Sequence, residues 1–318
     1  MGTVTVPATS DPHIFVKEVQ SREIDPMPAF ERDVHLPDGR TLRVLEDGDP
    51  RGRPIFYLHG TPGSRLLEER QVSEAARLGV RLIGYDRPGY GGSTPQRGRA
   101  VADGARDVAA IADAMGVDRF AVMGHSGGGP HSLACAATLP KRVVAASSLA
   151  SPAPFTADGL DYFAGMGELN VEDIKLMMRD PAAWEAKSAE DNAMMMNATQ
   201  EQVVAYLSSL LSDVDRAALD DELASFLIRQ AREGLKGGGA GSRDDSLAGF
   251  KPWGFELSAV RVPLQLWHGK QDRFVPFPHG VWLAAQLPRA EAHLDPNEGH
   301  LTLVAQYPSI MEWLSSHF

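Results

Sequence analysis

The 318-residue chain predicts an α/β fold: a mostly parallel sheet, helices on both faces, and a helical insertion that interrupts the alternation. Three observations predict it. Short apolar runs recur with helical patterns between them, as in parallel strands joined by crossover helices. The alternation stops near residue 153 and resumes near 260, and the interval carries helical periodicity instead. A composition of 43% hydrophobic and 23% charged residues suits a globular chain with a large core.

The elements follow in order. Residues 1–28 are rich in Pro, Thr, Ser and charge and read as a loose lead-in. "ERDVHLPDGRTLRVLEDGD" reads as a hairpin, because two alternating segments flank Asp38-Gly39. "PIFYLHG", "VRLIGYD", "RFAVMGHS", "RVVAASSLA" and "VPLQLWHG" are apolar runs that suit central strands, and "AEAHLDP" is a further strand near the end. Val101, Ala105, Val108, Ala112 and Met115 fall on one helical face. Residues 127–138 form a small-residue helix ahead of Pro140, and Leu303, Tyr307, Ile310, Met311 and Leu314 mark a terminal amphipathic helix. Right-handed crossovers then fix the topology.

Within the insertion, Val203, Val204, Leu207, Leu211 and Val214 make one stripe, and Leu223, Phe226, Leu227 and Ala231 another. The segment around "LMMRD" and "NAMMMN" is methionine-rich, which suits either core packing or a substrate-facing wall. "KGGGAGSRDD" reads as a flexible break, with Asp244-Asp245 on a solvated loop. The expected division is a lead-in over 1–28, a core domain over 29–152 and 258–318, and a helical cap over 153–257.

A net charge of -11 and the lack of a basic stripe argue against nucleic acid and anionic membrane surfaces as partners. The single cysteine, Cys135, excludes an intrachain disulfide and reads as a small buried core residue. The first fifteen residues lack the basic and apolar regions of a signal peptide, and Val6 breaks the myristoylation pattern. No run approaches the ~18 apolar residues of a membrane span. The expectation is a cytoplasmic protein, monomer or homodimer. HExxH, a GxGxxG after a strand and GxxxxGK[ST] are all missing from the sequence, so no metal or organic cofactor is expected.

"AVMGHSGGGPHSLA", residues 121–134, carries the chemistry. A G-x-S-x-G between an apolar strand and a helix is a nucleophile elbow. Ser126 sits on a sharp turn, and the positions two before and two after it come too close for side chains. Gly124 and Gly128 occupy them. The following helix aims its free N–H groups and positive end at the place where an oxyanion would form.

A serine needs a base with a pKa near working pH, which points to histidine. His300 lies in a glycine-containing loop between a strand and the last helix, within reach of the sheet edge. His293 lies inside that strand and reads as structural. His59 and His125 flank glycines and read as partners of loop backbone. His131 and His279 are on helices and poorly placed. An acid must orient the base. Asp272 follows an apolar strand at the same edge, and its rival Asp295 precedes Pro296 in an ordinary turn. Asp86 and Arg87, in "DRPGYGGS", read as a structural turn.

From about residue 30 to its end the chain resembles the α/β-hydrolase family, particularly its capped esterase-like and proline iminopeptidase-like members. "HGTPGS" (59–64), "YDRPGYGGS" (85–93), "GHSGGG" (124–129), "WHGKQDRFVP" (267–276) and "NEGHLTL" (297–303) carry the resemblance. It implies the α/β-hydrolase fold and a triad in the order Ser126, Asp272, His300. It also implies an oxyanion hole from the backbone N–H groups of Thr61 and Gly127, supported by His59, Gly60, Gly124, His125 and Gly128. Pro62 has no N–H to offer. "HGTPG" in place of "HGGG" tilts against bulky tertiary-alcohol esters.

The function expected is a serine hydrolase of an ester, thioester or lactone of a hydrophobic small molecule. A proline iminopeptidase-like enzyme is an alternative and would need cap carboxylates, for which Glu168, Glu172 and Asp173 are candidates. C–C bond hydrolysis, cofactor-free oxygenation and non-catalytic ligand reception share the fold. Dehalogenases and epoxide hydrolases of this family need a carboxylate nucleophile where this chain has Ser126.

Overall fold

A computed structural model describes residues 29–318, and the expected lead-in over 1–28 lies outside the described residues. The chain runs β1 (Phe30–His35), β2 (Thr41–Gly48), β3 (Arg53–Leu58), α1 (Glu69–Arg77), β4 (Val80–Tyr85), α2 (Asp103–Ala114), β5 (Phe120–His125), α3 (Gly129–Thr138) and β6 (Val143–Leu149). Six helices follow: α4 (Glu168–Arg179), α5 (Pro181–Asn197), α6 (Gln200–Tyr206), α7 (Asp213–Ala218), α8 (Asp221–Leu235) and α9 (Ala240–Gly249). The sheet then resumes with β7 (Leu264–Gly269), α10 (Phe277–Gln286), β8 (Glu291–Asp295) and α11 (Tyr307–Ser315).

The strands order as β1-β2-β4-β3-β5-β6-β7-β8. The β1–β2 and β2–β4 pairs are antiparallel, and every pair from β3–β4 onward is parallel. The expected hairpin is β1–β2, turning at Gly39 with φ +86°. The period-2 alternation of the central strands feeds two cores. Phe56, Leu58, Ile83, Phe120 and Val122 face α2 and α3, where Val108, Ile111 and Leu133 meet them. Ile55, Leu82, Ala121 and Met123 face the other way, against Ile310, Met311 and Leu314 of α11. Burial on both faces explains why these strands read as unbroken apolar runs.

Two expectations for the insertion need correction. The stripe from Val203 to Val214 is not one helix. α6 ends at Tyr206, and α7 starts afresh behind Ser212, whose side chain accepts from the Asp215 N–H. "KGGGAGSRDD" is not a flexible break either: its second half is α9, and Asp244 and Asp245 are buried rather than solvated. Arginines distant in sequence make the burial of Asp245 tolerable, as described below, and the adjacent Arg243 pairs with Asp244. Cys135 is buried in the core as expected. Among the described residues, no helix is long and apolar enough to cross a membrane, and no group of three or more His, Cys, Asp or Glu side chains could hold a metal ion.

Candidate active site

β5 ends at His125, and Ser126 turns the chain with φ +55°, a left-handed conformation rare for a residue with a side chain. One 3₁₀ turn over Ser126–Gly128 leads into α3. The close approaches inferred for the flanking glycines are present. A methyl group at Gly124 would overlap the Gly128 carbonyl, and one at Gly128 would overlap the Leu58 carbonyl on β3. The elbow therefore packs backbone against backbone and holds Ser126 at the carboxyl end of the sheet, where ligands bind in such folds.

His300 comes from the loop between β8 and α11, and Asp272 from the loop after β7. The His300 Nδ1 donates to Asp272 Oδ2 at 2.7 Å. Asp272 Oδ1 accepts from the backbone N–H groups of Phe274 and Val275, both at 2.8 Å. The carboxylate is thus held by three donors, and the unused Nε2 of His300 is left as an acceptor. The ring of Phe274 stacks on His300 with centroids 4.5 Å apart. Burial works against charging His300, but the Asp272 charge, its hydrogen bond and the Asp215 charge outweigh it and raise the pKa.

His125 is held from both sides: its Nε2 donates to the backbone carbonyl of His300 at 3.1 Å, and its Nδ1 accepts from the Tyr307 hydroxyl at 2.8 Å. Burial first, then the neighbouring His300, push its pKa down to about 3. It is a neutral strut. His59 is another, with Nδ1 donating to the Gly60 carbonyl at 2.7 Å and burial holding its pKa well below the usual value. His293 stacks on Trp267 and pairs with Glu291, away from Ser126. Asp295 accepts from the Asn297 N–H, an ordinary turn contact. His131 binds the Val101 carbonyl, whereas His279 reaches the cavity wall, where burial pushes its pKa down to about 4.

Thr61 lies against Gly127: a methyl on Gly127 would sit 3.3 Å from the Thr61 nitrogen. Arg87 fixes this loop from below. Its guanidinium donates to the carbonyls of His59 and Gly60 and to Thr61 Oγ1, and it pairs with Asp245 of α9. Asp245 also accepts from Thr61 Oγ1 at 3.2 Å, from the Tyr90 hydroxyl at 2.8 Å and from Arg99. Asp86, the other residue of the expected structural turn, accepts from the backbone N–H groups of Arg65 and Gly92.

Ser126, Gly127, Thr61, His125 and His300 share one cavity of about 460 Å³ that runs up between the inserted helices. Leu207, Leu211, Leu223, Phe226 and Leu227 supply much of its apolar wall. The methionines divide: Met166 and Met195 reach the cavity, while Met177 is buried and outside its lining. Among the described residues no lysine or arginine lines this cavity, and its charged side chains are Glu68, Asp173 and Asp191. The structure thus brings Ser126, Asp272, His300, Thr61 and Gly127 together. Phe274, Tyr307, Asp215 and Asp245 were missed, because their roles come from contacts across the fold rather than from any local pattern.

Residues 53–305 match the sequence model of the alpha/beta hydrolase fold. The chain belongs to the α/β-hydrolase family. A 2-hydroxy-6-oxononadienedioate/2-hydroxy-6-oxononatrienedioate hydrolase of Cupriavidus pinatubonensis is 27% identical over 284 residues, 85% of this chain and 88% of that one. A 2-hydroxy-6-oxo-6-phenylhexa-2,4-dienoate hydrolase of Burkholderia cepacia is 29% identical over 81% of this chain and 85% of its own. Among solved structures, a thermophilic esterase of Thermogutta terrifontis superposes with a TM-score of 0.64 at 17% identity, covering 91% of this chain and all of the other. That likeness is one of α/β-hydrolase fold alone.

Proposed function

We propose that this α/β-hydrolase is a serine hydrolase that cleaves an ester, thioester or lactone of a hydrophobic small molecule. The observation that carries the reading is the convergence of Ser126, the Asp272-held His300 and the Thr61–Gly127 backbone at the foot of one apolar cavity. Ser126 Oγ attacks the carbonyl as His300 Nε2 takes its proton, and His300 then protonates the leaving alcohol. The N–H groups of Thr61 and Gly127 receive the oxyanion, each contributing about 3 kcal/mol in a dry site. Water, deprotonated by His300, releases the acyl group. Residues 153–257, with α4–α9, act as a cap that supplies the substrate's apolar surroundings.

The names of the relatives favour a second reading, C–C bond hydrolysis of a dienoate. Those substrates carry one or two carboxylates, and burying a carboxylate without a cationic partner is costly. A cavity lined by carboxylates, with no lysine or arginine among its described residues, supports the neutral ester over the dienoate. The aminopeptidase reading draws less support. Of Glu168, Glu172 and Asp173, only Asp173 lines the cavity, and one of its oxygens already accepts from Trp184 Nε1 at 3.1 Å.

Intact-mass measurement after incubation with a small fluorophosphonate tests the reading. The expected result is one adduct on the wild type, none on Ser126→Ala and slow labelling of His300→Ala. A folded wild type that stays unlabelled would overturn it. On labelled enzyme, a panel of neutral esters and a phenyl-substituted dienoate then decides between the two substrates, with turnover expected for the esters.

A further inference from the structure

Two aspartates of the inserted helices are buried away from Ser126, and each reaches down to one loop of the site. Asp215 belongs to α7 and has no exposed surface. Its Oδ1 accepts from the backbone N–H groups of Leu301 at 2.7 Å and Thr302 at 3.4 Å, the two residues after His300. Its Oδ2 accepts from Ser212 Oγ at 2.7 Å. It approaches the loop so closely that a methyl group at Gly299 would overlap its carboxylate. Asp245 belongs to α9 and does the corresponding work on the opposite side. It meets Thr61 Oγ1 directly, and it holds the Arg87 guanidinium that gathers the His59 and Gly60 carbonyls.

We propose that Asp215 and Asp245 are positioning residues through which the inserted helices set the reaction geometry: Asp215 fixes the loop that carries His300, and Asp245 fixes the loop that carries Thr61. The inference rests on the serine-hydrolase reading and deepens it. The cap then does more than enclose substrate. The base and one oxyanion donor reach their working places only with α7 and α9 docked, so the site is complete only in the closed molecule. A generic core contact would hold helices to the sheet anywhere. These two carboxylates instead grip the backbone next to His300 and the side chain of Thr61, and hydrogen bonds to charged groups are the stronger kind.

The test measures kcat and KM on a short p-nitrophenyl ester, the rate of fluorophosphonate labelling at Ser126, and amide hydrogen exchange over residues 59–63 and 299–303. Displacing a reacting group by about 1 Å costs about 10²-fold. Asp215→Ala is expected to lower kcat and the labelling rate by about that factor with KM little changed. Exchange should quicken over 299–303 and not over 59–63. Asp215→Asn keeps an acceptor for the Leu301 N–H and should restore most of the rate. Asp245→Asn should lower kcat with faster exchange over 59–63. It leaves two guanidinium groups without their counter-charge, so Thr61→Val accompanies it. That variant keeps Asp245 paired with Arg87 and Arg99, removes only the bonds of the Thr61 hydroxyl to Asp245 and Arg87, and should show the same effects in weaker form. Variants that turn over and label at wild-type rates, whatever their melting temperatures, would overturn the proposal alone. A folded wild type that takes no label would overturn the hydrolase reading and the proposal with it.

Discussion

His300 carries the pH dependence of the proposed reaction. As the base it must be neutral to accept the Ser126 proton, so activity falls where it becomes charged. Burial alone would depress its pKa. The Asp272 carboxylate 2.7 Å away reverses that, helped by Asp215, and the net shift is upward from 6.5. The acid limb of kcat/KM is therefore expected above pH 6.5. His125, pushed down to about 3, stays neutral throughout and adds no second limb. Asp272→Asn removes the charge that raises the pKa, and with its amide oxygen kept by the Phe274 and Val275 N–H groups it turns an NH2 donor toward His300 Nδ1, which imposes the wrong tautomer. It should move the limb downward and lower kcat/KM by about 10⁴-fold. A pH–rate profile on a neutral ester checks both, and a wild-type limb below pH 6.5 would contradict the role given to Asp272.

At the scale of elements, α8 shapes what the cavity accepts. Leu223 and, one turn further on, Phe226 and Leu227 line it from a single face, the stripe expected from their spacing. Phe226→Ala should cost about 3–5 kcal/mol of stability, because the side chain is buried. The space it vacates should also shift the preferred p-nitrophenyl ester toward longer acyl chains. A preference that does not move would mean that the acyl group lies elsewhere in the cavity. Elements of this kind are legible because their signal is local. The central strands announce themselves as apolar runs, the hairpin through Asp38-Gly39, and the elbow through two glycines with no room for a side chain. Ser126, Asp272 and His300 could be picked out because each follows or flanks a strand ending at the same sheet edge. The division of α6 from α7 was missed because hydrophobic spacing runs through the break, and only the Ser212 cap marks it. α9 was missed because "KGGGAGSRDD" is polar and glycine-rich, and its burial depends on Arg87 and Arg99, more than a hundred residues away.

For the whole molecule, that last dependence has a thermodynamic consequence. Asp245 ties α9 to the loop after β4 through Arg87, Tyr90 and Arg99 and to the loop after β3 through Thr61, which makes one buried carboxylate a link between the inserted helices and the sheet. Burial opposes its charge, but Arg87 and Arg99 outweigh burial and hold its pKa well below 3.8. Removing one partner from a buried ion cluster costs about 3–5 kcal/mol, a large share of the 5–15 kcal/mol by which a typical domain is stable. Asp245→Asn should therefore fold, but with a urea midpoint well below that of the wild type. The pH dependence of the difference identifies its origin. A carboxylate with a depressed folded pKa stabilises fully above its unfolded pKa, and the contribution is lost as pH falls through the folded value. The gap between wild type and Asp245→Asn should thus hold constant from about pH 7 to about pH 5 and begin to close only below the unfolded value. Urea unfolding at about pH 7, 5 and 3 measures it. A gap that narrows already between the first two would mean that a histidine, such as His131 beside Asp245, whose pKa burial lowers from 6.5, carries the link instead.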